Sequence, residues 1–538
     1  MATRLCVIAA YFTALLLIGF LARMRHRGDP SEYFLAGRTM GTGVLMATMA
    51  ATNFSAFTVF GVSGAGYRDG FAFLPIMAFG TGFMALNFWL VGRKVHELGA
   101  AHGLITPSEL MQHLYNNTAV ARVTAMVLLV FTVPYIALQP LAAGTVVNQL
   151  FGTPEWVGAT IVTGAIVLYT LRGGMRAVAW TDLLQGALLL GLMLVALAMI
   201  VNHHGGWSTA LSEVATQKPA LFSRPGLQGT YTPAIWFSFL ALWFFCDPMF
   251  PQLFQRFYAA KSTRVLGRLT LWYPAICLAV FAPPVLVGVL GHLHFPALTA
   301  SEADGVFVAV MMAIGGDVTG TLVLVAGLAA LMSSMDSQLL TLSSIVSRDL
   351  WPAVAKGRTA SVSVARVIVV VLAVLGLLVA LTTDATILDL GVTAFTGFAV
   401  LFPSVLLGLY LRQPRAVAAL TSIIAGEAMV IAMHAGVIPT FGFLSAIPAI
   451  ACATAVYLLI HVLTGPVHLP SISLSRIHCV LFFPAIFLLA QDYWRWGNTG
   501  TIILGVPGWC WYFAGLSAAQ MLITALMMRD KAASAGDR

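Results

Sequence analysis

The sequence predicts an all-α, polytopic membrane protein. Three observations predict it: the composition, the recurrence of apolar runs and the placement of basic residues. Of 538 residues, 59% are hydrophobic and 9% charged, and the mean hydropathy is +0.91. Apolar runs of about 18 or more residues, enough to cross a bilayer as a helix, recur from end to end. They predict about fifteen spanning helices, roughly 5–22, 41–66, 71–92, 119–147, 155–171, 177–202, 231–255, 269–291, 316–346, 362–381, 386–411, 416–436, 443–464, 477–491 and 503–527. One helix after residue 411 could instead be re-entrant. No long polar stretch could hold a separate soluble domain.

The first run (Leu5–Leu21) has one basic residue before it, Arg4, and three after it, Arg23, Arg25 and Arg27. A secretory signal carries its positive charge in front, so this run reads as an uncleaved helix with its N-terminus outside. Fifteen spans then leave the C-terminus in the cytoplasm. With that topology, only Arg4, Arg68, Lys218, Arg224 and Arg495 of the 28 lysines and arginines fall outside. The net charge of +8 is thus an orientation signal rather than a nucleic-acid surface. The six cysteines sit in or beside apolar segments and form no CxxC pair. They read as reduced core residues, with no disulfide frame or metal site.

Two helices look interrupted. The second carries the small, polar run Ala50-Ala51-Thr52-Asn53-Phe54-Ser55 in mid-span, and the seventh carries Cys246-Asp247-Pro248-Met249-Phe250-Pro251. Proline removes a backbone donor and clashes with the preceding turn. Carbonyls freed at membrane depth are tolerated only beside a cavity. The two breaks lie five helices apart, so a second set of five would run inverted to the first. Paired breaks in inverted halves point to a mid-membrane binding site. The ninth helix carries Ser333 and Ser334 within LAALMSSMDSQLL (328–340), with Ala330 one turn earlier. Two hydroxyls and a carbonyl on one side suit a small hard cation, although back-bonding to the preceding turn is the plain alternative. Asp336 reads as a hydrogen-bonding residue. Asp182 could lie on an ion route or be a helix-terminal charge favoured by the macrodipole. Asp247 could cap the break, pair with a substrate amine or carry a proton. Tyr135 and Gln139, one turn apart between Pro134 and Pro140, could line the same cavity, although helix packing is the more ordinary role for each.

Four stretches resemble the sodium–solute symporter family: SEYFLAGRTMG (31–41), NFSAFTVFGVSGAGY (53–67), GGMRAVAWTDLLQG (173–186) and AALMSSMDSQLL (329–340), the last extended by SSIVSRDL (343–350). The resemblance implies a LeuT-type core of ten helices in two inverted repeats, with accessory helices on both sides. Residues 31–411 would hold that core, as repeats 41–203 and 231–411. Residues 1–30 would supply an accessory helix and basic loop, 412–528 further accessory helices, and 529–538 a cytoplasmic tail. It also implies that sodium is held by the carbonyls of Ala51, Phe54 and Ala330 and the hydroxyls of Ser333 and Ser334. Asp182 matches an acidic position on the ion's inward route, where some members hold a second sodium. Substrate contacts would fall on Asn53, Ser55, Trp243, Asp247 and Pro251. Asp247 stands where proline-transporting relatives carry an aromatic residue, which sets the expected solute apart from proline.

The expected function is import of a small organic solute driven by sodium, through alternating access in the plasma (inner) membrane. An acidic site residue favours an amino acid or a related zwitterion or cation, with a monocarboxylate as the other possibility. The alternatives are a proton-coupled carrier and a membrane sensor acting with a separate signalling partner. Expected partners are the solute, Na+ and the bilayer, with no nucleic acid and no cofactor beyond the coupling ion. Enzyme readings lack support: His96–His102 reads HELGAAH rather than HExxH, and no nucleotide-binding glycine loop occurs.

Overall fold

The structure is a computed structural model that describes residues 2–23, 30–355, 361–466, 477–497 and 500–536. The expected cytoplasmic basic residues at 25, 27, 356, 358, 476 and 538 lie outside the described residues. The described chain is helical apart from its loops and one short hairpin, Ile502–Ile503 paired with Val506–Pro507. The principal helices are α1 (Ala2–Arg23), α2 (Thr42–Asn53), α3 (Val62–Asp69), α4 (Phe73–Met84), α5 (Thr118–Phe151) and α6 (Glu155–His203). They continue with α7 (Pro233–Cys246), α8 (Pro251–Ala259), α9 (Thr263–Leu290), α10 (Thr321–Ile345), α11 (Val362–Thr382) and α12 (Ile387–Tyr410). Four more follow: α13 (Ala416–His434), α14 (Ala446–Leu463), α15 (Ile477–Leu489) and α16 (Gly508–Gly536).

Among the described residues, ten helices are long and apolar enough to cross a membrane, or eleven if the pair bent by 54° at Phe250 counts as one. The anticipated 155–171 and 177–202 lie on either side of Gly174, which breaks the run numbered α6 with φ 58°, ψ −166°. That φ favours glycine, because a Cβ there would also meet Tyr33 at 2.8 Å. The described part of α15 is 13 residues, about 20 Å long.

The order of elements repeats. A broken helix (α2–α3) opens the first set and another (α7–α8) opens the second. Each is followed by four further helical segments, α6 supplying two of them on either side of Gly174, as a LeuT-type core requires. Helix α10 is buried on every side except at Leu322, so its hydroxyls face protein rather than lipid. By contrast α11 exposes Val367, Val371 and Leu378, the face expected against acyl chains. Helices α3 and α9 touch backbone to backbone, since a Cβ on Gly288 would fall 2.1 Å from the Ser63 carbonyl. Arg224 is caged by Trp236, Trp496 and Trp509, with its Cζ 4.7–5.3 Å from their centroids, and pairs with buried Asp492. This joins the 219–231 loop to the accessory helices.

Candidate functional site

Both expected breaks are present. Helix α2 ends at Asn53, Phe54 turns extended (φ −90°, ψ 93°), and helical structure resumes at Phe57. Helix α7 ends at Cys246, Phe250 is extended (φ −56°, ψ 122°), and Pro251 opens α8. The loosened backbone is held by side chains. Gln139 Oε1 accepts from the Ala56 amide at 3.1 Å, and Ser55 Oγ accepts from Phe57 N at 3.2 Å. Gln139 therefore props up the break.

The hydroxyl pair of α10 meets the end of α2. Ser333 Oγ donates to Ala51 O at 2.8 Å and to Ala330 O at 3.0 Å, and Ser334 Oγ donates to Thr52 O at 3.1 Å. All of these residues are buried. The bonds run between helices, so back-bonding alone does not account for the pair. Of the five expected sodium ligands, Ala51, Ala330 and Ser333 share bonds. Ser334 reaches the neighbouring carbonyl of Thr52, and Phe54 is the extended residue just beyond. The cluster consists of hard oxygen donors sealed from solvent, as a small alkali cation requires.

A second cluster adjoins it through Thr52. The Thr52 hydroxyl donates to Asp182 Oδ2 at 3.3 Å and lies 3.1 Å from Ser337 Oγ. Thr48 also donates to Asp182. Arg256 Nη2 donates to both Asp182 Oδ2 and Ser337 Oγ at 2.9 Å, and its Nε donates to Thr48 Oγ1 at 3.0 Å. The Arg256–Asp182 pair is fully buried. This corrects the expectation that Arg256 lies among inner loop charges. Helix α8 restarts at Pro251 and turns Arg256 into the core. Asp336 accepts from Ser337 Oγ at 3.2 Å. Among the described residues, Asp182 Oδ1 and Asp336 Oδ2 are buried without a hydrogen-bond partner. Two carboxylates thus face one guanidinium.

Between the two breaks lies a small cavity of about 20 Å³, lined in part by Asn53, Ser55, Tyr135, Trp243 and Asp247. That volume holds about one water molecule. Pro251 does not line it. Its wall is aromatic: Trp243, Phe57 and Phe395 stand 5.6–5.8 Å apart by ring centroid, and Tyr135, Phe250 and Phe395 stand 4.9–5.2 Å apart. Asn53 Nδ2 donates to the Tyr273 hydroxyl at 2.9 Å. Gly80 admits the Trp243 indole, since a Cβ there would lie 2.8 Å from its Cδ1.

Two sets of contacts fasten the ends of the broken helices. At the end of α3, Arg68 pairs with Asp304 at 2.8 Å and donates to Ala300 O at 2.9 Å. Asp304 also accepts from the Ile387 amide at 2.9 Å. Ahead of α2, Met40 bridges Ala260, with Met40 N to Ala259 O at 3.2 Å and Lys261 N to Met40 O at 2.9 Å. Sequence reasoning missed Arg256, Thr48 and both sets of contacts. An arginine five residues after a leading helical proline, in FQRFY, was the available signal for the first.

Residues 33–426 match the model of the sodium:solute symporter family. The chain belongs to this family. Relatives of the symporter include the osmoregulated proline transporter OpuE of Bacillus subtilis (strain 168), 28% identical over 430 residues covering 78% of this chain and 86% of the relative. Another is the sodium/proline symporter of Staphylococcus aureus (strain bovine RF122 / ET3-1), 27% identical over 482 residues covering 85% and 92%. Among solved structures, a Na+-coupled sialic acid symporter in a substrate-bound outward-open state superposes with a TM-score of 0.71. It is 18% identical and covers 87% of this chain and 99% of its own. A nucleobase-cation-symport-1 transporter in a closed conformation gives 0.55 at 13% identity, covering 83% and 98%. Those two likenesses concern the fold. The symporter is a multi-pass membrane protein that couples uptake of a small solute to Na+, and it is not an enzyme.

Proposed function

We propose that this symporter imports an amine-bearing organic solute across the plasma membrane, with its N-terminus outside and its C-terminus in the cytoplasm. Sodium is held by the carbonyls of Ala51, Phe54 and Ala330 and the hydroxyls of Ser333 and Ser334. The solute sits against Asn53, Ser55, Tyr135, Trp243 and Asp247, with Gln139 and Pro251 shaping the breaks. The observation that carries this reading is the bonding of the α10 hydroxyls to the carbonyls that close α2. A cation there ties the two helices together, so sodium favours one arrangement of the site over others. The named relatives transport proline, but Asp247 in the cavity lining favours a different amine.

The test is sodium-dependent uptake in proteoliposomes. Ser334→Ala should raise the sodium concentration for half-maximal uptake about tenfold, equivalent to about 1.4 kcal/mol, at unchanged protein yield. An unaltered sodium curve would remove this site. A second reading, a further cation at Asp182, is favoured by the two carboxylates facing one guanidinium. Uptake measured against pH at zero sodium tests whether that cation is a proton.

A further inference from the structure

We infer that a crevice beside the second broken helix is a binding site for one acyl chain of an anionic phospholipid. The crevice has a volume of about 490 Å³ and lies between α7, α9, α15, α16 and the end of α4 with the helical residues that follow it. It is separate from the solute cavity, since no residue lines both. Helix α7 serves the two: Trp243 lines the cavity, and its neighbours Phe244 and Phe245 line the crevice. Pro484 and Leu488 form part of the rim and are exposed, so the crevice opens on the side that meets lipid.

The walls and one end choose the occupant. Two hydroxyls line the crevice, and each is spent on its own helix. Thr270 Oγ1 donates to Leu266 O at 3.0 Å, and Thr524 Oγ1 donates to Gln520 O at 2.8 Å. Apart from the Trp89 indole, the rest of the lining is hydrocarbon, phenyl ring and thioether. A polar ligand would lose its hydration there for little in return. One end is basic. The Arg93 guanidinium lies over the Trp89 ring, with Cζ 5.0 Å from the centroid, and its Nε has no hydrogen-bond partner among the described residues. Gly267 packs against Trp89 and Met528, where a Cβ would lie 3.2–3.3 Å from their side chains. Exposed Arg264 and Arg268 flank Gly267 in the chain, and exposed Arg529 follows Met528. Set against Glu97, 3.6 Å from Arg93, and Asp530, this end keeps a net positive charge. An apolar slot ending among arginines matches a chain that carries a phosphate, and not an uncharged sterol or quinone. Asn87 Nδ2 donates to Phe244 O at 2.7 Å, so the crevice wall is fastened just ahead of the break at Cys246. A chain in the crevice braces α7 there.

The experiment is photolabelling of the purified full-length carrier in detergent, with the labelled peptides mapped by mass spectrometry. The probe is phosphatidylglycerol carrying a diazirine in one acyl chain. Phosphatidylcholine and the free fatty acid, each with the same chain, are the comparisons. Phosphatidylglycerol should label residues 83–90, 237–245 or 483–488 at least about tenfold more than phosphatidylcholine at equal concentration. Ala241→Phe fills the slot and should abolish that labelling. Arg93→Gln combined with Arg268→Gln, checked for monodispersity, should bring phosphatidylglycerol down to the phosphatidylcholine level. Phosphatidylglycerol should also raise the thermal-unfolding midpoint of the parent more than that of the double variant. The inference is overturned if phosphatidylcholine or the fatty acid labels the crevice as strongly, or if label spreads evenly over lipid-facing helices such as α11. It is equally overturned if the Ala241→Phe chain, folded and monodisperse, keeps the labelling, or if the parent's crevice stays unlabelled because another segment or a second copy covers it. Labelling needs neither sodium nor solute, so its failure leaves the coupling and solute sites untouched.

Discussion

Arg256 shows how much a single residue can organise. Its guanidinium ties α8 to Asp182 on α6, to Thr48 on α2 and to Ser337 on α10, all out of solvent. Breaking a buried pair by removing one partner leaves an uncompensated charge and costs about 3–5 kcal/mol. Here the two sides are not equivalent, because Asp336 is a second carboxylate within the electrostatic reach of Arg256. Arg256→Met should therefore destabilise the folded carrier by about 3–5 kcal/mol. Asp182→Asn leaves one carboxylate for one guanidinium and should unfold no earlier than the parent. Thermal unfolding in detergent without sodium decides it, and equal losses in both variants would refute the charge count. The hydroxyl pair Ser333–Ser334 was legible in the sequence because polar groups in an apolar run stand out by their cost. Arg256 was not. Its charge resembles the other inner-side charges until the restart at Pro251 is known to lie beside α2.

At the scale of elements, the molecule is two broken helices held by two closures. In the proposed orientation the outer one pairs Arg68 with Asp304, where Gly64 leaves room: a Cβ there would lie 2.3 Å from Asp304 Oδ1. Arg68→Met strips the buried carboxylate of its cation, so the outer closure should loosen by about 1–3 kcal/mol, up to a hundredfold in open population. A cysteine at Thr58, in the cavity wall, introduced into a chain freed of its six native cysteines, reports this through an impermeant thiol reagent added outside. An unchanged labelling rate would show that the pair does not hold the gate. The pH dependence has a definite sign. Burial pushes the Asp304 carboxyl above its ordinary value, with Arg68 partly offsetting it. A group that holds its proton more tightly in the closed form favours closure as pH falls, through the window from that raised value down to the ordinary one. Closure is correspondingly weaker above the window. Labelling of the Arg68→Met chain should therefore slow in mild acid. Both breaks were legible, from Pro248 and Pro251 in one and from the polar run 50–55 in the other. The closures were not, because they join positions such as 68 and 304 whose proximity only the packed core creates.

At the scale of the whole molecule, transport is a question of charge moved per cycle. A sodium ion entering at about −100 mV gains about 2.3 kcal/mol. A tenfold sodium gradient adds about 1.4 kcal/mol. Together they support a solute ratio of several hundred, which needs both closures never to open at once. With one sodium and a zwitterion, one charge crosses, and steady-state accumulation should change about fiftyfold per 100 mV. With one sodium and a permanent cation, two charges cross, and the dependence should be about the square of that. Proteoliposomes clamped by potassium and valinomycin at several potentials measure this slope directly. A zwitterionic and a cationic solute that are both taken up would then differ by one charge in slope. Uptake that persists unchanged without sodium and gives a flat response would dissociate sodium from transport. A slope that persists in zero sodium and follows the pH gradient would transfer the driving role to a proton at the Asp182–Asp336 cluster.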